Sequence, residues 1–126
     1  HLGLGDRFLL LGYRSDATRV MSGFDVFCLA SRHEGLPIAL MEAIALGLPV
    51  VTTDVGGIRE LVVDGAEALI VPPAEPQELA RALKAVVADA DRRARMARAA
   101  DARSDEFSVE QAVRRMESVY AEISRR

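Results

Sequence analysis

The sequence predicts an α/β domain: a parallel sheet flanked by helices, followed by a helical C-terminal tail. Two observations carry this. Over roughly residues 1–75 four short apolar runs alternate with helical patterns, and none of the runs alternates polar with apolar. Runs of that kind read as parallel strands buried on both faces. Beyond Pro76 the pattern is helical throughout.

The elements follow in order. Phe8-Leu9-Leu10-Leu11 is the first expected strand, ending at Gly12, with a helical stretch over 16–23 behind it. Residues 25–30 form the second run and lead through the loop 31–36 to a helix opening at Pro37, a residue favoured in the first helical turn. That helix stops at Gly47. Residues 49–53 make the third strand, and Asp54-Val55-Gly56-Gly57 turns into a short helix over 58–63. Ala68-Leu69-Ile70-Val71 is the fourth strand, closed by Pro72-Pro73. In the tail, Leu79, Leu83, Val86 and Val87 form one apolar stripe at helical spacing. A helix over about 91–103 follows. The last one begins with a capping box, Ser108 and Gln111, and carries the stripe Val109, Ala112, Val113, Met116, Tyr120 and Ile123.

At 126 residues the chain holds one core and not two. The net charge of −3 offers no basic field for nucleic acid or an anionic membrane. A single cysteine, Cys28, allows no internal disulfide and no cysteine-built metal site; lying in a strand, it is expected in the core. There is no signal-peptide pattern, and no run nears the roughly 20 apolar residues of a membrane span. A cytoplasmic protein is the expectation. The abrupt start, a few residues before a strand, reads as a fragment.

Ligands of an open parallel sheet bind outside the carboxyl ends of its strands. Three such ends carry unusual loops: 12–15, 31–36 and 54–57. The second is the most informative. Its helix, Ile38-Ala39-Leu40-Met41-Glu42-Ala43-Ile44-Ala45-Leu46, is apolar all round except for Glu42. A carboxylate there is costly unless satisfied, so Glu42 either reaches the surface, bonds a neighbouring loop, or serves a ligand. It lies roughly 7–8 Å along the axis from the helix start, at 1.5 Å per residue. Glu34 lies just ahead of that start, and between the two carboxylates is the free N–H cluster that favours phosphate. Hydroxyls on both sides of a phosphate suit this arrangement, as in a nucleotide sugar.

The segment Ser31-Arg32-His33-Glu34-Gly35-Leu36-Pro37, with Glu42-Ala43-Ile44-Ala45-Leu46-Gly47-Leu48-Pro49 and Asp54-Val55-Gly56-Gly57-Ile58-Arg59-Glu60, closely resembles the group 1 glycosyltransferases. Their signature is two glutamates separated by seven residues, met by Glu34 and Glu42 in the right Gly and Pro context. The resemblance continues through Asp64-Gly65, Leu69-Ile70-Val71-Pro72 and Phe107-Ser108. It implies a partial, Rossmann-like C-terminal domain of a GT-B fold, with a core over about 1–75 and the helical tail over 76–126. It also implies a retaining, hexosyl-transferring enzyme of carbohydrate biosynthesis that takes a nucleoside diphosphate sugar and needs no metal or other cofactor.

Carried over by position, Glu34 is the candidate catalytic residue and would accept hydrogen bonds from donor-sugar hydroxyls. Gly35 would let the backbone approach the sugar. The N–H groups of Leu36, Ile38 and Ala39 would face sugar and diphosphate, with Pro37 fixing the turn. Glu42 would bind ribose. Tyr13, Arg14 and Ser15 match the family's base-contacting segment. Gly56 and Gly57 are read as shaping a turn rather than touching ligand, and Glu60 as its support. His33 is expected to be exposed. Asp89-Ala90-Asp91 is read as a helix cap and not a metal motif, and the arginines at 92, 93, 95 and 98 as a solvated helix face.

The family's cationic Arg and Lys for the leaving diphosphate have no counterpart here; the only lysine is Lys84, in the tail. The resemblance therefore implies a donor pocket without its cations, inactive alone, with the acceptor bound mainly by an N-terminal domain that is not in this sequence. It leaves room for peripheral membrane association of the intact protein. Without two preceding strands, the run 8–11 would be separated from 25–30 by a gap, and an open apolar edge invites self-association. A nucleotide-sugar epimerase of the same fold is the enzymatic rival. A receiver-like signalling module is the rival of another class, but its acidic cluster and late lysine are not seen.

Overall fold

A computed structural model of the chain describes residues 3–125. Its centre is a three-stranded parallel sheet: β1 (Phe27–Leu29), β2 (Val50–Thr53) and β3 (Ala68–Val71), in the order β1-β2-β3. Phe27 stands opposite Val50, and Val50 opposite Ala68, so the strands run in step toward one carboxyl edge. The helices are α1 (Ala17–Met21), α2 (Ile38–Ala45), α3 (Ile58–Leu61), α4 (Pro76–Ala88), α5 (Ala90–Asp101) and α6 (Val109–Ile123). Short 3-10 turns occupy Gly5–Arg7 and Ser104–Phe107.

Both faces of β2 are covered, as its unbroken apolar run requires. Val50 packs with Leu40, Ala43, Ile44, Ile58 and Ala68 on the α2 side. Val51 packs with Val86 of α4 and Met96 of α5 on the other. α5 serves both layers, since its Ala100 belongs to the α2 side. α2 ends where Gly47 takes φ 69°: its N–H bonds the carbonyl of Ile44, and that of Leu48 the carbonyl of Ala43. This is a Schellman closure, which a glycine supplies without strain. Asp89 caps α5 by accepting from the Arg92 N–H at 2.8 Å. Of the arginines read as a solvated face, Arg95 and Arg98 are exposed, whereas Arg93 turns back onto the Val86 and Val87 carbonyls at the end of α4.

Three expectations are corrected. The run 8–11 forms no strand, and all four of its residues are exposed, Leu10 by 87%. It has no neighbouring strand among the described residues, and β propensity without a ladder partner does not hold a strand. Cys28 is exposed rather than in the core. β1 is an edge strand, and α4 packs chiefly on β2 and β3, which leaves the Cys28 side chain exposed. Crowding by its neighbours still desolvates the thiol and raises its pKa. Finally, α2 is not buried all round: Leu40, Ala43 and Ile44 face the core, but Ile38 is largely exposed.

The sequence also concealed a buried charge. Glu67, only 1% exposed, accepts from the Val63 N–H at 2.9 Å and pairs with Arg103. Arg103 also reaches Glu106 at 2.9 Å and lies over the Phe107 ring at 5.9 Å, tying the chain after α5 to the start of β3. α6 begins with Ser108 accepting from the Gln111 N–H. Its stripe at Val113, Met116, Tyr120 and Ile123 is exposed, and the helix packs chiefly on the turn Ser104–Phe107. The side chain of Val109 lies outside what is described.

Candidate nucleotide-sugar site

The parallel strands bring the loops after β1 and β2 to one edge, where hydrogen bonds lace them together. The Thr53 hydroxyl donates to the Ser31 carbonyl at 2.5 Å, joining the end of β2 to the loop after β1. The Ser31 hydroxyl then donates to Glu34 Oε1 at 2.6 Å. Glu34, half-buried, is thus held through Oε1, and Oε2 has no protein partner among the described residues. Below it, the Gly57 N–H donates to the Gly35 carbonyl at 2.9 Å.

Gly56 explains why two glycines stand in the β2 turn. Its φ is 53°, and a Cβ placed there would lie 1.9 Å from the Glu34 carbonyl oxygen. Only a residue without a side chain allows both the left-handed backbone and this approach. The glycines shape a turn, as expected, and the turn is the floor on which the Glu34 loop rests. Gly35 differs: a Cβ there meets nothing within 4 Å, so its backbone faces open space. Glu60 lies beside this turn, with its carboxyl carbon near Gly57, but its exposed side chain makes no hydrogen bond or ion pair among the described residues. Arg59 braces the turn through a two-pronged pair with Asp54 at 2.8–3.1 Å. Sequence order alone did not separate these neighbours.

Pro37 is the N-cap of α2, so the helix opens one residue later than expected, with Pro37 at φ −74° and ψ 113°. No side chain caps the helix. Among the described residues the N–H groups of Leu36, Ile38 and Ala39 find no acceptor, so the positive end of the helix is open to an anion. Glu42, half-buried on α2, accepts from the Thr18 hydroxyl at 3.3 Å. That bond brings the start of α1 beside α2.

The structure therefore gathers Glu34, Gly35, Leu36, Pro37, Ile38 and Ala39 in one loop and helix start, with Glu42 further along the same helix. No hydrogen bond joins Tyr13, Arg14 or Ser15 to them among the described residues. Tyr13 is 96% exposed, and Arg14 is engaged with Asp16, both nitrogens at 2.8 Å. The same guanidinium holds the Asp16 carboxyl below the usual carboxylate range. Thr18 is what tethers that segment to the site. His33 is exposed, as expected. Ser31 and Thr53 are positioning residues that sequence reading missed, although a serine three residues before an acid in a loop is a known local hydrogen-bonding pattern. Among the described residues no three His, Cys, Asp or Glu side chains cluster to hold a metal. No helix there is long and apolar enough to cross a membrane.

Comparison with known proteins identifies the family. The family model described as glycosyl transferases group 1 matches residues 1–103. The lipopolysaccharide core biosynthesis mannosyltransferase LpsB of Rhizobium meliloti is 35% identical over 98% of this chain, covering 36% of the relative. The alpha-D-kanosaminyltransferase of Streptomyces kanamyceticus is 32% identical over 96% of the chain and 32% of its own length. Among solved structures, Anabaena HepE in complex with UDP superposes with a TM-score of 0.88 at 30% identity, over 95% of this chain and 34% of that one. The sucrose-phosphate synthase of Thermosynechococcus elongatus gives 0.86 at 27% identity, over 95% and 31%. The chain spans about a third of the length of these relatives. With the fold and most of its length matched in this way, the chain belongs to the group 1 glycosyltransferases.

Proposed function

We propose that this chain is the donor-binding part of a glycosyltransferase, and that the intact protein transfers a glycosyl unit from a nucleoside diphosphate sugar to an acceptor, with retention and without a metal ion. The observation that carries the reading is the uncapped start of α2 between two carboxylates. A diphosphate fits the unpartnered N–H groups of Leu36, Ile38 and Ala39. Glu34, held by Ser31 on one oxygen, presents the other to sugar hydroxyls. The open space above Gly35 lets the sugar lie against the backbone. Glu42 accepts from ribose, with Thr18 fixing its orientation. Tyr13 and the backbone of Arg14 and Ser15 serve the base, since the Arg14 side chain is occupied by Asp16. The UDP and UDP-glucose complexes of HepE support a nucleotide sugar as ligand. Positive charge for the leaving diphosphate, and most acceptor binding, fall to segments beyond this third of a protein of the relatives' length.

Calorimetric titration with UDP and with UDP-glucose tests the roles separately. Glu42→Gln is expected to weaken both ligands about tenfold, or about 1.4 kcal/mol. Glu34→Gln should weaken UDP-glucose by a similar factor and leave UDP within about twofold. If both variants bind both ligands like the unaltered chain, the two glutamates do not hold the donor.

A further inference from the structure

A second cavity opens at the same carboxyl edge, on the α4 side of the sheet. Its volume is about 190 Å³, and it is lined by Ala30, Arg32, Thr53, Ala74, Glu75, Pro76 and Leu79. Ala74 turns the chain from β3 into α4 with φ 61°, the single left-handed non-glycine backbone among the described residues. Arg32 stands two residues before Glu34, in the loop that Thr53 anchors through Ser31. Glu75 is the N-cap residue of α4, yet its carboxylate makes no cap hydrogen bond. Among the described residues neither Arg32 nor Glu75 has an ion-pair or hydrogen-bond partner for its side chain, although both line this one cavity. They are not paired with each other.

Both side chains are exposed to water, so a ligand here must replace what it displaces: an apolar group would strip water from two charges, and a ligand of a single charge would meet the like charge of one of them. A neutral polyol satisfies both, donating to the carboxylate and accepting from the guanidinium. Leu79 and Pro76 add an apolar wall suited to the C–H face of a ring. The volume is below the roughly 300 Å³ at which pockets for drug-sized ligands begin, which leaves room for one sugar unit and not for a nucleotide. We propose that this cavity is a saccharide subsite for the glycosyl acceptor, lying beside the Glu34 loop and across the sheet edge from the α2 start that takes the diphosphate. The proposal rests on the donor reading above.

The test is amide chemical-shift mapping of the ¹⁵N-labelled chain in separate titrations. One uses methyl α-D-glucopyranoside, one methyl α-D-mannopyranoside and one UDP-glucose. At least one glycoside is expected to give saturable shifts at Arg32, Thr53, Glu75 and Leu79. Arg32→Ala and Glu75→Gln should each weaken that glycoside by about fivefold or more, the loss of one charged hydrogen bond. UDP-glucose should move the amides around Glu34 and Glu42 and leave Glu75 and Leu79 in place. Absence of saturable shifts with both glycosides overturns the proposal, and so does glycoside binding untouched by either substitution. Shifts at Glu75 and Leu79 with UDP-glucose instead assign the cavity to the donor and overturn it as well. If the glycosides bind but UDP-glucose leaves the Glu34 and Glu42 amides unmoved, the donor reading has failed and the acceptor assignment falls with it.

Discussion

Two apolar tetrapeptides in this chain have opposite fates. Val50-Val51-Thr52-Thr53 is buried at every position, whereas Phe8-Leu9-Leu10-Leu11 is exposed at every position. Hydrophobicity does not separate them; if anything the second is the more apolar. What separates them is company. β2 has a hydrogen-bonded strand on each side and a helix layer on each face. The run 8–11 has neither among the described residues. A parallel strand is held by its neighbours, and an apolar run is only an invitation to pair.

Charge insertion gives the sharpest break of this contrast. Val51→Asp puts a carboxylate between α4 and the sheet at a fully buried position, at an effective cost of several kcal/mol against a total stability of about 5–15 kcal/mol. The expected result is loss of the cooperative melting transition by circular dichroism. Leu10→Asp should stay within about 0.5 kcal/mol of the unaltered chain. If Leu10→Asp proves as damaging, the run is packed in solution and the contrast is wrong.

A pair of glycines sharpens the same point at the site. Gly56→Ala adds a left-handed penalty of about 1–2 kcal/mol to a backbone clash of about 1–3 kcal/mol against the Glu34 carbonyl. Gly35→Ala meets open space and is expected to change stability by less than about 1 kcal/mol, the ordinary Gly-to-Ala range. Urea denaturation of the two variants separates them; equal losses would mean that the two loops do not rest on each other.

The smallest effect lies at the junction of α4 and α5, in the tail. The Arg92 N–H holds the Asp89 carboxyl below the usual aspartate range. A depressed carboxyl contributes stability that is present above its unfolded value and lost as pH falls through its folded value. The first turn of α5 should therefore loosen only in strong acid. Asp89→Asn, which caps without titrating, should abolish that acid dependence. Carbon-detected titration of Asp89 checks this, and a midpoint at or above the usual range would rule out the cap in solution.

Most of the β2 neighbourhood was legible in advance. The apolar run, the stop at Gly47, the Gly56-Gly57 turn and the Glu34–Glu42 spacing are local patterns whose physics acts within a few residues. The Glu67–Arg103 pair was not legible, because the partners are 36 residues apart and buried acids carry no periodic signal. Cys28 misled for a related reason. Its strand was recognised, but burial of a strand residue depends on which helix lies over it, and α4 packs chiefly on β2 and β3. For α6, periodicity located the apolar stripe but could not say what, if anything, packs on it.

The alternation of strand and helix from residue 27 onward, the helix start beside Pro37 and the two glutamates in fixed spacing were written in the chain itself, since each depends on bonds and periods spanning a turn or two. Which apolar run became a strand, how Thr53 and Ser31 aim Glu34, and why Arg32 and Glu75 face one cavity depended on tertiary packing. Those are relations between segments far apart in sequence, and only the folded sheet brings them within reach of one another.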